Sequence, residues 1–87
     1  MTNDPYFIDF PGRIKAIQRE MAVDGIDVYL GSRLRTMSWT TDAFFPWRSY
    51  IVIPAEGLPT AFTFVIDAAR AADESWLDSD HVLGFAP

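Results

Sequence analysis

The sequence predicts an α/β domain in which a mixed sheet is flanked by helices. The main observation is the order of apolar patterns along the chain: a helical period, a short strand, a strand pair, a second helix and a last strand. The composition agrees, because 49% hydrophobic and 22% charged residues are usual for a globular domain. With 87 residues and no internal repeat, the chain fits one small domain, residues 1–87.

The first predicted element is a helix over residues 11–24. Ile14, Ile17 and Met21 recur at i, i+3 and i+7 and form one apolar stripe. A proline is tolerated in the first turn, and Gly25 supplies a C-terminal stop. We therefore expect the three apolar side chains to face the core.

A short strand is predicted over residues 26–31. Ile26, Val28 and Leu30 alternate with polar or small neighbours, so they share one face. Val28 and Leu30 of this face are expected to be buried in the core. An exit loop over residues 32–35 and an aromatic loop over residues 36–49 follow, since Pro46 excludes a continuous central strand.

An antiparallel hairpin is predicted over residues 49–66. Two β-branched and aromatic segments, 49–53 and 60–66, flank a turn that contains Gly57 and Pro59. The predicted core positions of the two strands are Ile51, Ile53, Phe62 and Phe64.

Asp67 is predicted to cap a second helix over residues 68–77, and residues 81–85 are predicted to form a final strand. No helix follows that strand to cover its far side. Two interpretations stay open: the domain continues in a longer polypeptide, or the strand is a short edge strand.

Charge and composition exclude several classes of function. The net charge is −5, and all of it lies in residues 36–87, which carry seven acidic and two basic side chains. Such a domain repels phosphate backbones, so nucleic-acid binding is not expected, and the acidic residues are expected to form a solvated face. The chain has no cysteine and no apolar run long enough to span a membrane. We expect a cytoplasmic protein with no membrane partner.

No catalytic or metal-binding pattern occurs in the sequence. His81 is the single histidine, whereas a zinc site needs three or four ligands. No sequence pattern places a serine or threonine nucleophile near this histidine. The five glycines are scattered and form no phosphate loop. The chain is therefore expected to have no catalytic residue, metal ligand or cofactor of its own.

The candidate site residues are Arg48 and the aromatic side chains Trp39, Phe44, Phe45 and Trp47. A guanidinium at a strand start can pair with a carboxylate and stack on an aromatic ring. The alternatives are an ordinary surface arginine and rings that belong to the core of the domain. On the first interpretation, the five residues form a gate to a substrate or a contact with a partner.

Several segments occur in a familiar order: residues 13–21, 24–27, the Met-Ser-Trp-Thr-Thr segment at 37–41, Arg48, 50–54, 56–59 and Trp76. Together they resemble the N-terminal domain of the creatinase, prolidase and Xaa-Pro aminopeptidase family, the pita-bread hydrolases. The sequence departs from the family at Thr40, where leucine is frequent, and at Asp42, where glycine would permit a positive φ.

The resemblance implies a ribonuclease-H-like α/β domain, truncated at its C-terminal end. It also implies a separate C-terminal catalytic domain that holds two divalent metal ions (Mn, Co or Zn) in the metallopeptidase members. The N-terminal domain shapes the substrate pocket and supports a homodimer in this family. The implied substrates are Xaa-Pro peptides, with creatinase-like or ectoine-hydrolase-like substrates left open.

A second hypothesis belongs to a different class. The family's fold recurs in a histone-chaperone subunit, and the acidic second half of the chain suits a basic partner. The alternative is therefore an acidic protein-binding module of chaperone type with no enzymatic context.

Overall fold

The computed structural model describes residues 7–46 and 48–86 of the chain. Three α-helices are present in this part, α1 (Phe10–Asp24), α2 (Leu34–Thr41) and α3 (Val65–Glu74), with a 3-10 turn at Ser79–His81. The four strands are β1 (Val28–Gly31), β2 (Ser49–Pro54), β3 (Thr60–Phe64) and β4 (Val82–Phe85).

The strands form one mixed sheet in the order β1-β2-β3-β4. The first three strands are antiparallel neighbours, and β4 runs parallel to β3 because α3 connects the two as a crossover. The predicted fold class and the predicted hairpin are both confirmed.

Helix α1 begins one residue before its predicted start and ends at the predicted stop, Gly25. The Asp9 carboxylate accepts a hydrogen bond from the Gly12 N–H at 2.9 Å, and Gly25 ends the helix with φ 68°. Ile14 and Met21 are buried, and Ile17 packs against the same cluster. The predicted helical stripe is confirmed.

The segment that was predicted as an aromatic loop begins as helix α2, so the loop assignment of residues 36–41 is wrong. Met37, Thr40 and Thr41 lie at i, i+3 and i+4 and are buried. Threonine is a weak helix former, but packing of this stripe on the core outweighs propensity. Asp42 ends the helix in the left-handed region with φ 63°, the conformation that glycine would adopt at lower cost.

Helix α3 begins two residues earlier than Asp67, so the predicted Asp67 cap is wrong. Phe64 is the N-cap residue and has no side-chain cap hydrogen bond. Asp67 lies in the first turn instead, where a carboxylate interacts favourably with the helix dipole.

All three α-helices of the described part pack on one face of the sheet, which we call the covered face. Gly84 belongs to this face, and a Cβ atom there would lie 2.9 Å from the Cα of Val65 in α3. The buried cluster between the layers contains Ile14, Met21, Met37, Ala43, Phe45, Ile51, Ile53, Ala61, Ala71, Leu77 and Val82.

The opposite side of the sheet, the open face, has no helix over it within the described residues. Val28 and Leu30 belong to it and are exposed, so their predicted burial is wrong. Phe62 and Phe64 point to this face as well and are only half-buried. The reason is the register: Gly31, not Leu30, pairs with buried Ile51 and faces the helices.

Candidate functional site

An aromatic groove lies at the carboxyl ends of the parallel strands β3 and β4. Phe64 and Phe85 end these strands and pair with each other in the sheet. The groove has a volume of about 650 Å³. Ligands of α/β proteins often bind outside the carboxyl ends of parallel strands. The groove is lined by Pro46, Arg48, Tyr50, Phe64, Ile66, Asp67 and Phe85.

Arg48 supplies the cationic group of this groove. Its side chain is exposed and forms no salt bridge with any residue that the structure describes. The rings of Tyr50 and Phe85 lie 6.3 Å apart and are tilted by 41°. A guanidinium beside an apolar wall can bind a carboxylate whose remaining atoms contact the rings.

Asp67 gives the groove an anionic wall, which the sequence-based prediction missed. One carboxylate oxygen lies 3.7 Å from Nη2 of Arg70, a weak surface ion pair. The only signal for Asp67 in the sequence was its position at the start of a predicted helix. The crossover from β3 through α3 to β4 places Asp67 at the groove.

Phe44 is held in place by a clamp from α3, formed by Arg70 and Glu74. The Phe44 N–H donates to Oε1 of Glu74 at 3.1 Å, and Nη2 of Arg70 donates to the Phe44 carbonyl at 2.8 Å. Arg70 and Glu74 also form a salt bridge of 2.8 Å. The Phe44 backbone hydrogen bond, and then the Arg70 guanidinium, lower the pKa of Glu74. The clamp fixes the main chain while 56% of Phe44 stays exposed.

Phe45 has the opposite environment to its neighbour. It is 1% exposed and belongs to the buried cluster with Met37 and Ile51. A ring at this depth stabilises the layer of helices and is not available to a substrate or partner while the fold is intact.

Trp39 lies on α2 and is not a lining residue of the groove at Arg48. The guanidinium carbon of Arg13 lies 4.4 Å from the centre of its ring, and Nη1 of Arg13 donates to the Trp39 carbonyl at 2.8 Å. This cation–π contact joins α1 to α2. The Trp39 ring is half-exposed, and residues of α1 line the same surface pocket as this ring.

The structure therefore does not bring the five predicted site residues together. Arg48 lies in the groove, Phe44 is exposed beside α3, Phe45 is core and Trp39 packs with Arg13. Trp47 lies outside the described residues.

Trp76, one of the residues that carried the resemblance, has a structural role. Its Nε1 donates to the Thr40 carbonyl at 2.7 Å, and Oγ of Ser75 donates to the Thr41 carbonyl at 2.7 Å. These bonds satisfy carbonyl groups at the end of α2, which have no partner inside the helix.

The described residues offer no cluster that could hold a metal ion. Within residues 7–46 and 48–86, no three His, Asp or Glu side chains converge as a metal site. Nδ1 of His81 lies 2.6 Å from Oδ1 of Asp78, and this hydrogen bond lowers the pKa of Asp78. The pair joins the two ends of a 3-10 turn on the surface. None of the helices described is both long and apolar enough to cross a membrane.

A comparison of sequences finds one significant similarity and no matching family model. The chain is 31% identical over 78 residues to an ectoine hydrolase from Halomonas elongata. The alignment covers 85% of this chain but only 19% of that enzyme.

Comparisons of structure agree with this result. The chain matches a proline dipeptidase from Streptococcus agalactiae with a TM-score of 0.74 and 14% identity, covering 87% of this chain and 58% of that one. It matches the creatinase/prolidase N-terminal domain of an X-Pro dipeptidase from Streptococcus pyogenes with a TM-score of 0.74 and 17% identity, covering 86% and 61%. The chain thus spans about three fifths of these solved chains. As the resemblance predicted, it has the fold of a creatinase/prolidase N-terminal domain.

Proposed function

We propose that this chain is a non-catalytic N-terminal domain of a pita-bread hydrolase, which shapes a substrate pocket and supports dimerisation. The fold and the similarity to an ectoine hydrolase support the hydrolase context. The observation that carries the proposal is Arg48, an exposed arginine that lines the same groove as the paired rings of Tyr50 and Phe85.

In this proposal the groove binds the end of an Xaa-Pro dipeptide. Arg48 donates two hydrogen bonds to the substrate carboxylate, and the proline ring packs against Tyr50 and Phe85. Phe44, held by the α3 clamp, lies at the border between this domain and its partners. Trp39 is a second exposed ring for such a contact.

Catalysis in this proposal belongs to a different domain of a longer polypeptide, with residues 1–87 as the first part of its N-terminal domain. The two divalent metal ions (Mn, Co or Zn) are held by that catalytic domain, since the described residues supply no ligand cluster. The chain by itself is then inert, and its partners are the catalytic domain and a second subunit in the cytoplasm.

Titration with an Xaa-Pro dipeptide, followed by two-dimensional NMR, tests the groove. We expect shifts for Tyr50, Phe64 and Phe85, and the Arg48→Ala variant should lose them. Arg19→Ala, which removes an exposed arginine of α1, is the matched control and should bind as the parent chain does.

Two further probes make the result decisive. The dipeptide amide lacks the carboxylate and should bind at least tenfold more weakly, a loss of about 1.4 kcal/mol. Equal binding of acid and amide would contradict the proposal, as would dipeptide hydrolysis by the pure chain with Mn²⁺. Binding of a lysine-rich peptide without dipeptide binding would favour the acidic chaperone-type module instead.

A further inference from the structure

The ring of Trp39 forms a platform on the outer surface of the helix layer. Met37, Thr40 and Thr41 form the buried stripe of α2, and the helical period places Trp39 on the opposite side of this helix. The cation–π contact and the hydrogen bond from Arg13 hold Trp39 in place, while 44% of the residue stays exposed. The platform therefore faces away from the sheet.

Two hollows meet at the Trp39 ring, which lines both, and together we call them the α1–α2 surface. The first, the basic hollow, has a volume of about 660 Å³. Its basic lining residues are Arg13, Lys15 and Arg19. The second, the apolar hollow, has a volume of about 340 Å³ and lies beside Ile17 and Tyr29, with Arg35 also in its lining.

The charge of the α1–α2 surface is opposite to that of the chain. Three basic side chains line the basic hollow and one lines the apolar hollow, whereas the whole chain carries −5. Among the described residues, Asp9 is the only acidic side chain that lines either hollow, and it accepts the Gly12 N–H at 2.9 Å as the cap of α1. None of the four basic side chains forms a salt bridge with a residue that the structure describes.

We propose that the α1–α2 surface binds an acidic peptide segment of a partner protein, in which carboxylates flank an apolar side chain. The apolar side chain packs on the exposed part of the Trp39 ring and fills the hollow beside Ile17 and Tyr29. The flanking carboxylates pair with Arg19 on one side and Arg35 on the other. Tryptophan, tyrosine and arginine are the residues in which interface hot spots are enriched.

A short acidic peptide fits this surface better than a nucleic acid does. Residues 36–87 carry all of the net charge of −5, so a long polyanion that extends beyond the α1–α2 surface meets repulsion. A segment of about six residues is at most about 20 Å long when extended, so it can stay on the basic side of the molecule. The apolar hollow also calls for an apolar side chain, which a phosphate backbone lacks.

The α1–α2 surface is separate from the two other surfaces already described. It lies on the outer side of the helices, so it does not depend on what covers the open face of the sheet. Arg48 and its groove contribute no residue to it. The inference takes up Trp39 as a contact residue from the proposed function and adds the chemistry of the partner.

Fluorescence anisotropy on the 87-residue chain tests the proposal, with a fluorescein-labelled Glu-Glu-Leu-Phe-Glu-Glu peptide as the probe. We expect a Kd on the order of 100 μM at low salt, and weaker binding as the salt concentration rises from about 50 to about 300 mM. A Glu-Glu-Ser-Gly-Glu-Glu peptide keeps the charges but lacks the apolar side chains. It should bind at least about fivefold more weakly, because it buries no apolar surface on Trp39.

Charge reversal at two arginines locates the site. Arg19→Glu should raise the Kd of the probe at least about tenfold, since it places a like charge beside the carboxylates. Arg33→Glu is the matched control, because Arg33 is exposed and lines neither hollow. Its Kd should stay within about threefold of that of the parent chain.

Trp39→Ala removes the platform without a change of charge and should also raise the Kd at least about tenfold. Far-UV circular dichroism confirms that each variant is folded. Because Arg19 forms no salt bridge with a described residue, its variant keeps the test valid even where Trp39→Ala disturbs the helix pair.

Three results would overturn the inference: no binding of the probe at about 500 μM chain, equal binding of the two peptides, or equal Kd values for Arg19→Glu and Arg33→Glu. A labelled oligothymidylate that binds more tightly than the probe, and is weakened by Arg19→Glu, would assign the surface to single-stranded nucleic acid instead. None of these measurements involves Arg48, so dipeptide binding in its groove is tested separately.

Discussion

The two faces of the sheet have similar side chains and opposite environments. On the covered face, Ile51 and Ile53 are fully buried under three helices. On the open face, Leu30 and Val28 are as apolar but exposed. Both faces come from the same four strands. The comparison shows that apolar alternation identifies a strand, while the elements packed around the sheet decide which of its faces forms the core.

The pair Phe45 and Phe44 gives the sharpest contrast, because the two rings are adjacent in sequence. Phe45→Ala should lower the free energy of unfolding by about 3–5 kcal/mol, since it removes a ring from the cluster between helices and sheet. Phe44→Ala should change it by less than about 0.5 kcal/mol, because its clamp bonds use only the main chain. Urea unfolding of both variants measures the difference. Similar losses for the two would mean that this segment is not divided between core and surface.

The strands offer a second test of the same contrast. Ile53→Ala should cost about 2–5 kcal/mol, the range for a large side chain removed from a packed interior. Leu30→Ala should cost less than about 0.5 kcal/mol in the monomer. The measurement is thermal or urea unfolding of both variants at submicromolar concentration, which disfavours self-association. A large loss for Leu30→Ala under these conditions would show that the open face is buried within one chain.

Low pH should lower the free energy of unfolding by weakening the α3 clamp, in which Glu74 and Arg70 bind the main chain of Phe44. Glu74 has a lowered pKa in the folded state, so its contribution to stability is present above the ordinary value of 4.5 and is lost as the pH falls through the lowered pKa. We expect this to be the smallest effect, since the clamp is exposed.

The measurement for Glu74 is the free energy of unfolding between pH 7 and pH 3. Glu74→Gln cannot titrate, so its stability should fall less over this range than that of the parent chain. Asp78 also has a lowered pKa and supplies a remaining decrease in both proteins. Identical pH profiles for the two would show that the clamp contributes nothing measurable.

Much of the fold could be predicted from local signals. Helix α1 follows from a 3.6-residue stripe and a glycine stop, and the β2–β3 hairpin follows from two β-branched segments around a turn. Helix α2 could not be predicted in this way, because its threonines and tryptophan favour other structures. It forms because Met37, Thr40 and Thr41 pack on the sheet.

The candidate site was only partly predictable. Arg48 stood out as a cation within an aromatic segment, and the structure gives it an aromatic groove. Three of its neighbours, Asp67, Phe64 and Phe85, are distant in sequence and had no site signal of their own. The parallel pairing of β3 with β4 brings them together, and strand pairing between distant segments is not encoded in any short pattern.

The sequence by itself determined the class of the fold, the position of α1 and the hairpin, and the lack of a metal or nucleophile pattern, because these depend on residue type and short-range period. Tertiary structure decided which side of the sheet is buried, which phenylalanine is core and which residues surround Arg48. The physical reason is that burial depends on where layers pack, and packing joins residues that are far apart along the chain.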